Sequence, residues 1–197
     1  MTSDAGARRR AVAVAGHTGD VVTARAGLGD DDATVRETAL GALARLGALG
    51  DDDLSDALRD PSPPVRRRAA ELSAARPSIA LLLLLDDVDP TVVEVAAWAC
   101  GERTTIDDTT LLRVADLARS SPEALVREAC VAALGSLGDE RGLEAILAGC
   151  DDKPAVRRRA VLALAPFEGA EVETAIQRAL GDRDWQVRQA AEDLRRA

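Results

Sequence analysis

The chain has 197 residues, of which 47% are apolar, 2% aromatic and 30% charged, with a formal net charge of −9. That excess of acid argues against general nucleic-acid binding and against docking on an anionic membrane, since both need a basic surface. With one Phe, two Trp and no Tyr, a deep aromatic pocket for a large ligand is not expected.

In chain order, the first feature is Arg8-Arg9-Arg10 followed by Ala11-Val12-Ala13-Val14-Ala15. This mimics a signal peptide, but its apolar part is shorter than the ~7–15 residues such a leader needs. It aligns better with a phrase that then recurs along the chain. The copies are Val35-Arg36-Glu37-Thr38-Ala39, Val65-Arg66-Arg67-Arg68-Ala69, Val126-Arg127-Glu128-Ala129-Cys130, Val156-Arg157-Arg158-Arg159-Ala160 and Val187-Arg188-Gln189-Ala190-Ala191. Val92-Val93-Glu94-Val95-Ala96 is a degenerate copy, and the valines are 30, 27, 34, 30 and 31 residues apart. A period of this size signals a stacked repeat array.

Each repeat reads as two helices. The first helices are predicted at about Val21–Leu28, Asp53–Leu58, Ile79–Leu85, Thr109–Arg119, Gly142–Ala148 and Glu171–Leu180. The second begin after acidic or proline-bearing turns such as Asp30-Asp31-Asp32, Asp60-Pro61-Ser62, Asp89-Pro90, Ser121-Pro122-Glu123, Asp151-Asp152-Lys153 and Asp182-Arg183-Asp184. Asp, Ser and Pro are favoured at helix starts. Val35, Ala39, Ala42, Leu43 and Leu46 share one face of the second helix, as do Val126, Cys130, Ala133, Leu134 and Leu137. Glycines, including Gly16, Gly47, Gly101, Gly138 and Gly149, are read as C-terminal caps. No strand-like alternation of useful length occurs. The longest apolar run, Ile79–Leu85, falls far short of the ~20 residues of a membrane span. Three cysteines make no disulfide framework, and a cytoplasmic protein is expected.

The pattern Asp-Pro-x-Val-x-x-x-Ala, usually with Arg after the Val, resembles the HEAT-like repeat of the phycobilin-lyase type. Asp89-Pro90-Thr91-Val92 and the segment from Val126 to Gly135 carry the resemblance best. It implies an all-α, right-handed α-solenoid of about six HEAT/armadillo-like helical pairs, here a single domain over residues 1–197. The family includes bilin lyase subunits, a di-iron hydroxylase and many scaffolds. The hydroxylase would need repeated His-Glu metal pairs, whereas His17 is the one histidine, so no metal site carries over. The resemblance also implies that Arg36, Arg66, Arg127, Arg157 and Arg188 form a ladder to acidic turn residues of their own or a neighbouring repeat.

Several residues stand outside this structural pattern. Arg67 and Arg68, like Arg158 and Arg159, read either as a solvated face with local ion pairs or as contacts for an acidic partner segment. Trp98 lies six positions after Val92, where other repeats carry Ala13, Gly41, Glu71, Ala132, Leu162 and Asp193. That position points away from the core face. Trp98 is therefore read as an exposed binding anchor, with packing under a neighbouring repeat as the alternative. Trp185 is read as covering the end of the core. Cys100 and Cys130 are read as core residues, and Cys150 has no histidine nearby to activate it.

The function expected is a non-catalytic scaffold or adaptor that holds a protein partner on the concave face made by the second helices. Its partner-binding residues are Trp98, Val95, Glu94, Arg67, Arg68, Glu128 and Leu162. No catalytic residue, cofactor, metal, nucleic acid or membrane is expected. The alternative is an accessory subunit of a cofactor- or chromophore-attaching, lyase-like enzyme.

Overall fold

The recurring acidic turn starts a helix by the same bond in several repeats. In the computed structural model, which describes residues 4–196, the carboxylates of Asp32, Asp89 and Asp184 accept the backbone N–H of Thr34, Thr91 and Gln186 at 2.8, 2.9 and 2.8 Å. Each bond satisfies a donor that the helix cannot satisfy itself. Pro63, Pro90 and Pro154 occupy first helical positions, where a missing N–H costs nothing.

The fold is all-α, with thirteen α-helices and no strand among the described residues. Contacts divide the chain into two compact units, residues 1–80 and 81–197. The first unit holds α1 (Ala5–Thr18), α2 (Val21–Ala26), α3 (Ala33–Arg45), α4 (Asp51–Ala57) and α5 (Pro63–Leu72). The second holds α6 (Leu82–Leu85), α7 (Pro90–Gly101), α8 (Asp108–Ser120), α9 (Ala124–Leu137), α10 (Leu143–Gly149), α11 (Pro154–Ala163), α12 (Ala170–Ala179) and α13 (Trp185–Leu194). Short 3-10 turns at Gly27–Gly29 and Glu140–Gly142 extend α2 and precede α10.

Second helices stack on second helices within each unit. In the first, α1 packs on α3 and α3 on α5; in the second, α7 packs on α9, α9 on α11 and α11 on α13. The even-numbered helices form the other layer, and α8 packs against α9 and α10. Most of the expected core face is buried, Val35, Ala39, Ala42 and Leu43 in α3 and Val126, Cys130, Ala133 and Leu134 in α9, while Leu46 and Leu137, at the C-terminal ends of these helices, are half-buried. The partial copy at the start of the chain is the second-type helix α1. Among the described residues, no helix is long and apolar enough to cross a membrane.

Two expectations need correcting. The apolar run Ile79–Leu85 is helical over Leu82–Leu85 alone. Ile79 and Leu81 are buried without helical backbone, because Ser78 Oγ bonds Asp51 at 2.6 Å and the Ile79 N–H closes a turn onto Arg76. Gly47 and Gly138 do end helices in the left-handed region, at φ 65° and 62°. Gly16, Gly101 and Gly149 lie within helical segments, and Gly16 and Gly101 serve close packing instead. A Cβ on Gly16 would fall 2.9 Å from Ala42 Cα, and one on Gly101 2.7 Å from Ala133 Cα. Gly135 repeats the contact, 2.6 Å from Ala163 Cα. Small residues let the second helices approach closely, which fixes the spacing of the surface they share.

Candidate functional site: the face of the second helices

Most arginines that follow the repeat valine are committed to holding the stack. Arg8 bonds Asp30 at 2.6 and 2.9 Å, Arg36 bonds Asp60 at 2.7 and 2.7 Å, Arg127 bonds Asp152 at 2.5 and 2.7 Å, and Arg157 bonds Asp182 at 2.8 and 2.8 Å. Each pair is a planar, two-bond contact from one repeat to an acidic turn residue of the next, the first of the turn in Asp30, Asp60 and Asp182 and the second in Asp152. The same arginines reach back to carbonyls of their own turns. Arg36, Arg127 and Arg157 donate to the carbonyls of Asp30, Ser121 and Asp152, and Arg66 and Arg188 to those of Asp60 and Asp182. Arg8 belongs to this set although the ladder expected from sequence began at Arg36; its place in the partial copy Ala7-Arg8-Arg9-Arg10-Ala11 was the available signal. Bonding to the Arg8 guanidinium holds the Asp30 carboxyl down at about 2. These arginines are not available as a ligand-binding stripe.

One repeat departs from the ladder. Val93 stands in the arginine position and is buried. At the acidic position of the following turn stands Ser121, also buried. Its Oγ takes the N–H of Glu123 at 3.4 Å, the task that Asp30, Asp60 and Asp182 perform for the residues two further on at 2.8 Å. Both members of the charged pair are replaced together, so neither an arginine nor an aspartate is stranded.

The same repeat carries Trp98 on α7. Its side chain is 43% exposed, so it is not a core residue. Val95 and Glu94 beside it are half-buried. On α9, Glu128 is half-buried and forms an ion pair with Arg159 of α11 at 3.7 Å. Leu162, also on α11, is 38% exposed. Trp98, Glu128 and Leu162 thus lie on three second helices that pack in succession. Leu125 on α9 is 48% exposed and was missed by sequence reading. It precedes Ala132, the residue that matches Trp98 and Leu162, by seven residues, and so lies on the same face of the helix two turns, about 10 Å, nearer its start. Other repeats carry Thr34, Pro64, Thr91, Ala155 and Gln186 at its position, and that contrast was the signal.

Arg67 and Arg68 belong to the first unit. They line a groove of about 470 Å³ made by residues of α1, α3 and α5. Arg68 bonds Glu71 at 2.6 Å, while Arg67 is exposed. Trp185 corrects another expectation. It is 65% exposed at the start of α13 and does not cover the end of the core. Val161, Ala179, Val187, Ala190 and Ala191 close that core without it.

The chemistry of the remaining candidates is quiet. Burial pushes the thiols of Cys100 and Cys130 up to about 11 and about 12, and that of Cys150 up to about 11. Such values keep all three as protonated thiols at neutral pH. Among the described residues no group of His, Cys, Asp and Glu is placed to hold a metal ion.

Comparison with known proteins fits this geometry. Residues 78–164 match the family model described as HEAT repeats. No curated protein matches the chain at a significant level. Among solved structures, YibA of Escherichia coli is 18% identical with a TM-score of 0.62, over 78% of this chain and 60% of that one. A designed armadillo repeat protein in complex with the peptide (KR)4 is 17% identical with a TM-score of 0.57, over 98% of this chain and 99% of that one. An engineered protein is 19% identical with a TM-score of 0.63, over 89% of this chain and 96% of that one. At such identities the likeness is one of fold, and the fold is of the HEAT and armadillo kind.

Proposed function

We propose that the chain is a non-catalytic scaffold that holds a protein partner on the face of its second helices, with Trp98 as anchor. The observation that carries this reading is the set of exposed apolar side chains Trp98, Leu125 and Leu162 on the same face of the successively packed helices α7, α9 and α11, 43%, 48% and 38% exposed. Exposed aromatic and aliphatic side chains grouped on one rigid face are what a partner's apolar side chains can bury against. Val95, Glu94 and Glu128 supply a half-buried, partly charged surround. Arg67 and Arg68 supply a second contact region on the first unit. A relative in fold that was solved with a bound peptide supports peptide holding as work this scaffold can do.

The fixed stack also favours such a role. Two-bond Arg–Asp pairs and glycine-spaced helix contacts make the second-helix face of each unit a preorganised surface, which lowers the ordering cost of binding. The phycobilin-lyase subtype, with its accessory role in attaching a chromophore, rests on the repeat motif alone. A coloured group that co-purifies with the chain would favour it.

The experiment is partner capture from the native cell by wild type and by the variants Trp98→Ala and Leu125→Asp. Leu112→Asp serves as control, since Leu112 is 58% exposed on α8, in the other layer. Loss of the same partner by the first two variants and its retention by the control supports the reading. Retention by all three overturns it.

A further inference from the structure

We propose that the groove of the first unit is a second binding site, specific for an acidic, Asp/Glu-rich peptide segment. Four arginines line it, Arg9, Arg45, Arg67 and Arg68, against two carboxylates, Glu37 and Glu71. This local basic surplus stands in a chain whose net charge is −9. Many arginines elsewhere are used in pairs: most of the ladder residues, and also Arg25 with Asp53, Arg76 with Asp51 and Arg113 with Asp86. In the groove, only Arg68 has an ion-pair partner, Glu71. Among the described residues, Arg9, Arg45 and Arg67 have none, and all three are exposed.

The floor of the groove is shaped around the guanidinium groups. Gly41 on α3 leaves room for Arg68: a Cβ there would sit 3.1 Å from its Nη2. Gly16 on α1 does the same for Arg45, with a Cβ 3.1 Å from its Nη1. Each arginine lies low against the backbone of the preceding second helix. Glu71 fixes Arg68 through Nη1 and leaves Nε and Nη2 toward Gly41. The result is a set of planar donors around a space of about 470 Å³, suited to carboxylates, which guanidinium groups bind with two parallel bonds.

The favoured occupant is a peptide rather than a polyphosphate. A long nucleic acid would meet the repulsion of the whole acidic chain. A short acidic segment feels mainly the charges within a Debye length, about 8–10 Å, and in the groove arginines outnumber carboxylates four to two. The groove is lined by residues of the first unit alone, and the proposal does not depend on the reading of Trp98.

The test is fluorescence anisotropy on the intact chain with a labelled short peptide that alternates Asp and Glu. A Lys-Arg peptide and a short single-stranded oligonucleotide are the comparison probes. The acidic peptide should bind and be released by high salt, and the Lys-Arg peptide should not bind. Arg67→Glu and Arg45→Glu should each weaken binding about tenfold or more, the worth of a charge-assisted contact. Gly41→Leu, which fills the floor with no change of charge, should weaken it too, and Trp98→Ala should leave it unchanged. Circular dichroism establishes that each variant is folded; Arg67, being exposed and unpaired, keeps the test valid if Gly41→Leu unfolds. Absence of binding, binding indifferent to both arginine variants, loss on Trp98→Ala, or an oligonucleotide bound as tightly as the acidic peptide would each overturn the proposal.

Discussion

Arg127 donates from Nε and Nη2 to the two carboxylate oxygens of Asp152 at 2.5 and 2.7 Å, while its Nη1 holds the carbonyl of Ser121 at 2.7 Å. One side chain thus ties its own turn to the turn of the next repeat. Arg127 and Asp152 are 13% and 19% exposed as side chains. Arg127→Ala should therefore destabilise by about 1–3 kcal/mol, read as a fall in the denaturation midpoint; an unchanged midpoint would remove the ladder as a stabilising device.

The chain already contains the replacement for such a pair, Val93 with Ser121. Arg127→Val combined with Asp152→Ser should therefore cost less than the sum of the two single changes, because neither leaves a stranded charge in the double variant. A double-mutant cycle measures this directly. Simple additivity would mean that the two residues act independently.

The ladder also sets a response to acid. Bonding to Arg8 holds the Asp30 carboxyl at about 2, and bonding to Arg127 and Arg157 lowers those of Asp152 and Asp182. A free aspartate titrates near 3.9. A depressed folded-state value means that this stabilisation is complete above about pH 4 and is lost as the pH falls toward about 2. Chemical denaturation between pH 7 and pH 2 should show stability falling mainly in that acid window. Stability that rises as the pH drops through it would contradict the assignment.

Much of this arrangement was legible in the chain. Valine spacing gave the repeat, and the face of Val35, Ala39, Ala42 and Leu43 gave the core. The position after each valine marked the ladder. What was not legible depends on neighbours in space. The run from Ile79 to Leu85 is buried, and burial alone does not distinguish helix from turn; Ser78 bonded to Asp51 decides against a full helix. Gly16 and Gly101 carry no sequence mark that separates a cap from a close contact. Trp185 looked like core because it is large and apolar, yet the smaller Val187 and Ala190 fill that space. Leu125 escaped because it precedes the valine, and only the two-turn relation to Ala132 puts it on the helix face that carries Trp98 and Leu162 in the neighbouring repeats.

Glycine positions give a sharp packing prediction. Gly135→Ala puts a Cβ 2.6 Å from Ala163 Cα, and must push α11 from α9. It should cost about 1–3 kcal/mol, as overpacking does. Gly29→Ala, with nothing within 4 Å of its added carbon, should stay within about 0.5 kcal/mol of wild type. Equal melting temperatures for the two variants would contradict the close-contact role.

The most direct measurement of the central claim is site-specific photocrosslinking to the captured partner. A photoreactive residue replaces Leu162 in one variant and Leu112 in another; both positions are exposed, at 38% and 58%, but on opposite layers of the second unit. The partner should crosslink from position 162 and not from 112. Adding Trp98→Ala to the 162 variant should abolish the adduct, given the ~2 kcal/mol or more that a buried Trp anchor contributes. Crosslinking from 112 alone, or from 162 with undiminished yield after Trp98→Ala, would contradict it.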